Sequence, residues 1–185
     1  MADHTRENDL IGWKSIHEAA HAVIAVSRGF TVLYVDLDYD AEVQGVAWDH
    51  AEERSSDSYS RLDYMAVCAA GAAADQNVSL PPELSYGKEE ASAGDRTMCK
   101  ELLERHLGIL LTDDGFSVMW TEGVVEAEKM MGTEIIWNTI RAVSKDFSRH
   151  FRSGNSRVDG KIVISTVTRL LHSHTAALDS EPQPS

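Results

Sequence analysis

Hydrophobic and polar positions alternate in three rhythms along the chain, and each predicts a different element. The apolar run from Ile16 to Val26 belongs to a first helix over about 9–28, with Asn8 or Asp9 as its cap and Gly29 as its stop. Residues 30–37 (Phe-Thr-Val-Leu-Tyr-Val-Asp-Leu) are rich in β-branched and aromatic types and read as a strand. A turn at 38–42 leads to a second, antiparallel strand over 43–48 that contains Gly45, and 51–58 is a charged, serine-containing loop. Residues 61–76 are dense in alanine, so that another helix can come close, and predict a buried central helix. Pro81-Pro82 breaks the pattern, and a loop runs to about Lys88. Helices are then expected over 89–107, 116–131, 133–151 and 162–178, with a loop at 153–160. The 133–151 stretch is amphipathic, through Ile136, Ile140, Val143 and Phe147. The expected fold is therefore mainly α with a small antiparallel β-hairpin or sheet. It forms one domain over 9–178, between a flexible 1–8 segment and a disordered tail at 179–185, with no internal repeat.

Composition narrows the partners more than the fold. The 185 residues are 43% hydrophobic and 25% charged, ordinary values for a folded chain, but the formal net charge is −13. Such a charge repels nucleic acid and anionic membrane surfaces, so neither is expected as a partner. No segment approaches the roughly 20 apolar residues of a membrane span, and the first eight residues hold no apolar signal core. Only Cys68 and Cys99 are present, each in a helix-like segment, and they read as reduced, buried thiols of a cytoplasmic protein. Any metal must then be held by histidine and carboxylate rather than by a cysteine cage.

The first helix supplies such ligands. His17-Glu18-Ala19-Ala20-His21 is an H-E-x-x-H pentad: its histidines, four apart, share one helical face and suit one zinc ion. Glu18 stands beside the first ligand, within reach of a water as general base. A catalytic zinc needs a third protein ligand and an open position. The extended pattern that ends in a third histidine fails here, with Ile24 in place of its glycine and Ser27 in place of the histidine. On chemistry alone Glu89, Glu90, Glu101 and Glu104 on the third helix, or Glu42, Glu52 and Glu53 in the turn and loop, can serve. So can Asp95, which the pattern sets near a helix start behind the small residues Ala91-Ser92-Ala93-Gly94; an acid there also suits the helix dipole. His172 and His174 before the tail read as solvated, and His4, His50, His106 and His150 are scattered.

In their order along the chain, these features resemble the zinc peptidase domain of FtsH-type membrane-anchored AAA+ proteases. That family opens its peptidase domain with H-E-A-G-H-A, which His17-Glu18-Ala19-Ala20-His21-Ala22 matches but for Ala20. A strand pair with glycine in the second strand follows, matched by 32–37 and Gln44-Gly45-Val46. The family's G-G-R-A-A-E motif is echoed by Ala70-Gly71-Ala72-Ala73-Ala74-Asp75, and its T-G-A-x-x-D segment by Ala91-Ser92-Ala93-Gly94-Asp95. Trp137-Asn138-Thr139-Ile140 and Val158-Asp159-Gly160-Lys161-Ile162 resemble the closing helices, so the similarity spans most of 10–172. It implies Asp95, 74 positions after His21, as third zinc ligand. The family's Arg is Ala72 here and its Glu is Asp75, which either orients a ligand histidine or caps a helix end.

The resemblance implies a zinc-dependent metalloendopeptidase with His17, His21 and Asp95 as ligands and Glu18 as base. Its motor is not seen: Gly154-Asn155-Ser156-Arg157-Val158-Asp159-Gly160-Lys161-Ile162 has one residue too many between its glycines for a phosphate loop, and Ile where Ser or Thr belongs. The expected substrate is then an unfolded or flexible polypeptide, with an ATPase partner or a homo-oligomer as further company. The alternatives are a non-catalytic binding or regulatory relative, and a zinc hydrolase with a non-peptide substrate.

Overall fold

The computed structural model describes the backbone of residues 3–37, 45–48, 61–79, 82–108 and 110–179, with side chains over 11–37, 45–48, 61–79, 89, 91–105, 108 and 110–173. Among these residues the chain order is α1 (Asp3–Ser27), β1 (Val32–Asp36), β2 (Gly45–Trp48), α2 (Arg61–Cys68), α3 (Ala70–Gln76), α4 (Pro82–Leu107), α5 (Asp113–Met131), α6 (Glu134–Arg152), β3 (Arg157–Asp159) and α7 (Gly160–Asp179). The fold is mainly helical with a small antiparallel sheet, as the apolar pattern predicts. Strand β1 is central, with Val35 opposite Val46 of β2 on one side and Val158 of β3 on the other. No helix is long and apolar enough to cross a membrane, among the described residues.

Several boundaries differ from the sequence pattern. Helix α1 begins at Asp3, inside the segment read as flexible. The alanine-rich stretch is two helices broken at Ala69, whose φ of −92° and ψ of 0° leave the helical region. Helix α4 begins at Pro82, seven residues before the expected start. Proline suits the first helical position, where its missing N–H is no loss, so Pro82 opens a helix instead of breaking one. Helix α5 begins at Asp113 because the Thr112 hydroxyl accepts from the Gly115 N–H as a cap. Strand β3 lies within the expected loop; three residues are too few for a periodic signal, and its partner is far away in sequence. The expected turn at 38–42 and loop at 51–58 lie outside the described residues, as does the tail beyond Asp179.

Helix α1 is the axis of the molecule. Ala19, Ala20, Ala22, Val23, Ile24 and Ala25 are all fully buried, so the helix is enclosed on every side in its second half. It packs against α3 and α6, while α2 lies on α5 and α7 covers β1. Wholly buried Leu37, Met65, Val67, Ile140, Val163 and Val167 fill the space between, each contributing on the order of 1.5–3 kcal/mol by its removal from water. Just beyond α1, Arg28 bonds Asp63 of α2 (2.6 Å) and Glu126 of α5, tying three helices together.

Candidate metal centre

Helical periodicity sets His17 and His21 one turn apart on α1, and both are buried, at 3% and 4% exposure. Asp95 reaches them from α4. Its Oδ2 lies 3.0 Å from His17 Nε2 and 3.2 Å from His21 Nε2, and the two nitrogens are 3.4 Å apart. Donor atoms bound at about 2.0–2.1 Å to one tetrahedral ion stand about 3.3–3.4 Å from one another. The observed triangle is within a few tenths of an ångström of one face of that tetrahedron. Three converging groups of these types can hold a metal ion.

The far side of each imidazole fixes which nitrogen points at this triangle. His17 Nδ1 lies 3.1 Å from Asp75 Oδ2, and a carboxylate accepts, so Nδ1 is the donor. Asp75 Oδ1 accepts from the indole N–H of Trp13 at 2.6 Å. His21 Nδ1 donates to the Val67 carbonyl at 2.7 Å. Val67 is in the last turn of α2, where carbonyls lack a helical partner, so the break at Ala69 frees the acceptor that orients His21. With both protons on Nδ1, two nitrogen lone pairs and a carboxylate oxygen face one another. A cation between them removes that repulsion.

Electrostatics agree. Burial alone pushes the His17 and His21 imidazoles down, but the carboxylates outweigh it and both are raised, His17 strongly, through hydrogen bonds to Asp75 and Asp95, and His21 through the charge of Asp95. Asp95 is held far below the usual carboxylate range: its burial would raise it, and the two histidines more than reverse that. The cluster attracts positive charge, and a metal competes for the place of those protons.

Small residues make room for the site. A Cβ at Gly71 of α3 would stand 2.5 Å from His21 Nε2 and closer still to His17 Nε2, so only glycine fits there. Crowding therefore occurs at Gly71 and not in front of Asp95: Gly94 faces open space. Nor is Asp95 near a helix start. It is the fourteenth residue of α4, beyond the reach of the N-terminal dipole, which removes that explanation for an acid at this position.

Glu18 is in a different state. Burial raises its carboxyl, offset in part by the histidines, and its Oε2 is buried with no hydrogen-bond partner among the described residues. Strand β2 lies beside it: Gly45 has a φ of 124°, and a Cβ there would be 3.5 Å from Glu18 Oε2. A cavity of about 340 Å³ opens between the α1 face, β2 and α4, and Glu18, His21 and Asp95 line it. Its walls are largely apolar, from Val46, Trp48, Met98 and Leu102, with the Trp48 ring stacked on His21 at 6.3 Å.

Of the other sequence candidates, Glu89 and Glu101 are exposed, Glu104 accepts from the Leu111 N–H, and none joins the cluster. Glu42, Glu52 and Glu53, and the Glu90 side chain, lie outside the described residues. Cys68 and Cys99 are unpaired and buried beside the cavity. Trp13 and the Val67 carbonyl were not legible as site groups. No sequence signal marks a carbonyl, and a tryptophan in an apolar helix reads as core.

Compared with models of known protein families and with curated proteins, the chain finds no match.

Proposed function

We propose that this protein is a zinc-dependent metallopeptidase that hydrolyses peptide bonds of unfolded or flexible polypeptides. The observation that carries the reading is the pairing of a three-donor face, His17, His21 and Asp95, with Glu18, whose buried Oε2 has no hydrogen-bond partner among the described residues, at one cavity. The donors, two imidazoles and one carboxylate, suit zinc, which when bound supplies a Lewis acid and acidifies a water to a pKa near 7. The order of motifs that resembles the FtsH-type peptidase domain supports the same reading.

The residues of the chain divide the remaining work. Asp75 and the Val67 carbonyl hold the two imidazoles in the tautomer that leaves Nε2 free. Glu18, raised by burial, takes the proton of the attacking water and delivers it to the leaving amine. Strand β2 is at the edge of the sheet formed by the described residues, so an extended substrate can add beside it as a further strand, its side chains entering the apolar cavity. A segment already hydrogen-bonded within a folded domain is not free to add in this way.

The test is cleavage of casein and of labelled peptides, with chelation and zinc re-addition. Cleavage should stop on chelation and return with zinc. Glu18→Gln should keep about one zinc per chain and lose cleavage by roughly 10²–10⁴-fold. An active Glu18→Gln protein, or chelator-insensitive cleavage, overturns the mechanism; unchanged zinc in Asp95→Ala overturns the ligand set.

A further inference from the structure

Charge is distributed very unevenly along this chain. Seven of its 17 lysines and arginines, but only two of its 30 acids, Asp146 and Asp159, fall between Arg141 and Arg169. A chain of net charge −13 thus carries a local excess of positive charge on α6, α7 and the segment joining them.

Four of those cations meet in one place. Arg141, Lys145 and Arg149 of α6 and Arg169 of α7 line a groove of about 410 Å³, with Asn138 at one end and Asp146 among them. The three on α6 stand four residues apart, so they follow one helical face at steps of about 6 Å. Asp146 neutralises only one charge, by pairing with Arg149 at 2.9 Å. Among the described residues, the side chains of Arg141, Lys145 and Arg169 make no ion pair or hydrogen bond. Like charges at this spacing weaken a helix, and nothing in the core requires them, since all four cations are exposed.

We infer that this groove docks an extended acidic segment of a polypeptide partner. In an extended chain every second side chain points the same way, about 6.6–6.8 Å apart, close to the step of the cation row. Carboxylates at alternate positions therefore meet Arg141, Lys145 and Arg149 in turn, and the two-pronged arginine guanidinium matches carboxylate geometry. The groove, from Asn138 to Arg149, is about 16 Å long, enough for a segment of five residues. Short occupants are favoured over long ones. Within a Debye length of about 8 Å a short segment feels mainly the groove, whereas a long polyanion also meets the acidic remainder of the surface. The groove lies apart from the metal centre, since no residue lines both cavities, and the inference does not depend on the chemistry assigned there.

Fluorescence anisotropy of the intact chain with a labelled twelve-residue peptide of alternating Asp and Ala tests this. Saturable binding is expected at about 50 mM salt, weakening at least about tenfold by 300 mM. Arg141→Glu combined with Lys145→Glu should weaken it by about tenfold or more, with the circular dichroism spectrum unchanged. If that pair of reversals unfolds the protein, Arg169→Gln on the facing helix should still weaken binding by about threefold or more. Absence of saturable binding, or binding indifferent to these substitutions, overturns the inference. So does tighter binding of a single-stranded twelve-mer oligonucleotide, which assigns the groove to nucleic acid, or displacement of the peptide by inorganic phosphate at matched ionic strength, which assigns it to a small anion. A self-associated protein from which the peptide is excluded, seen by sedimentation, overturns it as well.

Discussion

Replacing Asp75 with asparagine changes one atom and should disable His17 as a ligand. Asp75 is 4% exposed and accepts twice: from the Trp13 indole N–H at 2.6 Å and from His17 Nδ1–H at 3.1 Å. Asparagine offers one accepting oxygen and one donating amide. Trp13 can only donate, so the oxygen stays with Trp13 and the amide NH₂ faces His17 Nδ1. The imidazole then carries its proton on Nε2, the nitrogen that lies 3.0 Å from Asp95 and points at the metal position. If the amide is turned the other way, the Trp13 N–H is left buried against a donor, at a cost of about 1–3 kcal/mol to the fold. Loss of such a supporting carboxylate lowers metal affinity by about 10–100-fold, or ~1.4–2.7 kcal/mol. A zinc titration against a chromophoric chelator, with circular dichroism as the control for folding, measures the change. Trp13→Phe provides the contrast, since it removes only the donor to Oδ1 and should weaken zinc binding less than Asp75→Asn does. If Asp75→Asn binds zinc within twofold of wild type, Asp75 does not set the His17 tautomer and the orientation mechanism is wrong.

Two further outcomes follow from the same geometry. Gly71→Ala places a methyl group against Nε2 of both His17 and His21; metal content by atomic emission should fall to near zero while the metal-free fold loses only about 1–3 kcal/mol from overpacking, and full occupancy would refute the crowding. The metal-free and metal-bound forms should respond oppositely to pH. His17 and His21 are raised above 6.5 in the fold, so the stabilisation they give the metal-free protein is complete below about 6.5 and fades as pH climbs through their raised values. On the proposed assignment zinc would displace those protons and its contribution would grow over the same range; melting temperatures with chelator and with zinc should diverge as pH increases, and parallel curves would contradict this.

The parts of this molecule that were legible in the sequence are those with a local cause. Periodicity located α1 and α4–α7, alanine density located the stretch that holds α2 and α3, and the β-branched run located β1, because these signals depend on residues a few positions apart. The differences have both local and distant causes. Pro81-Pro82 reads as a break although Pro82 opens α4, and the kink at Ala69 leaves no mark in an unbroken run of small residues. Strand β3 exists only because β1 lies beside it, with Val158 opposite Val35.

The candidate site divides along the same line. His17, Glu18 and His21 fall within one helical turn, so the sequence by itself determined that two imidazoles share a face and that a carboxylate sits next to them. Which acid completes the group could not be decided that way, since the glutamates of α4 had an equal chemical claim. Asp95 lies 78 residues from His17, and Asp75 lies 58 from it; both meet that histidine only because α3 and α4 pack where they do. The state of Glu18 is likewise out of the sequence's reach, because the burial of its Oε2, with no partner among the described residues, depends on β2 lying beside it and not on its neighbours in the chain. Spacing along a helix fixes direction, but convergence of distant groups at 3 Å depends on the packing of the whole core, which no short stretch of sequence contains.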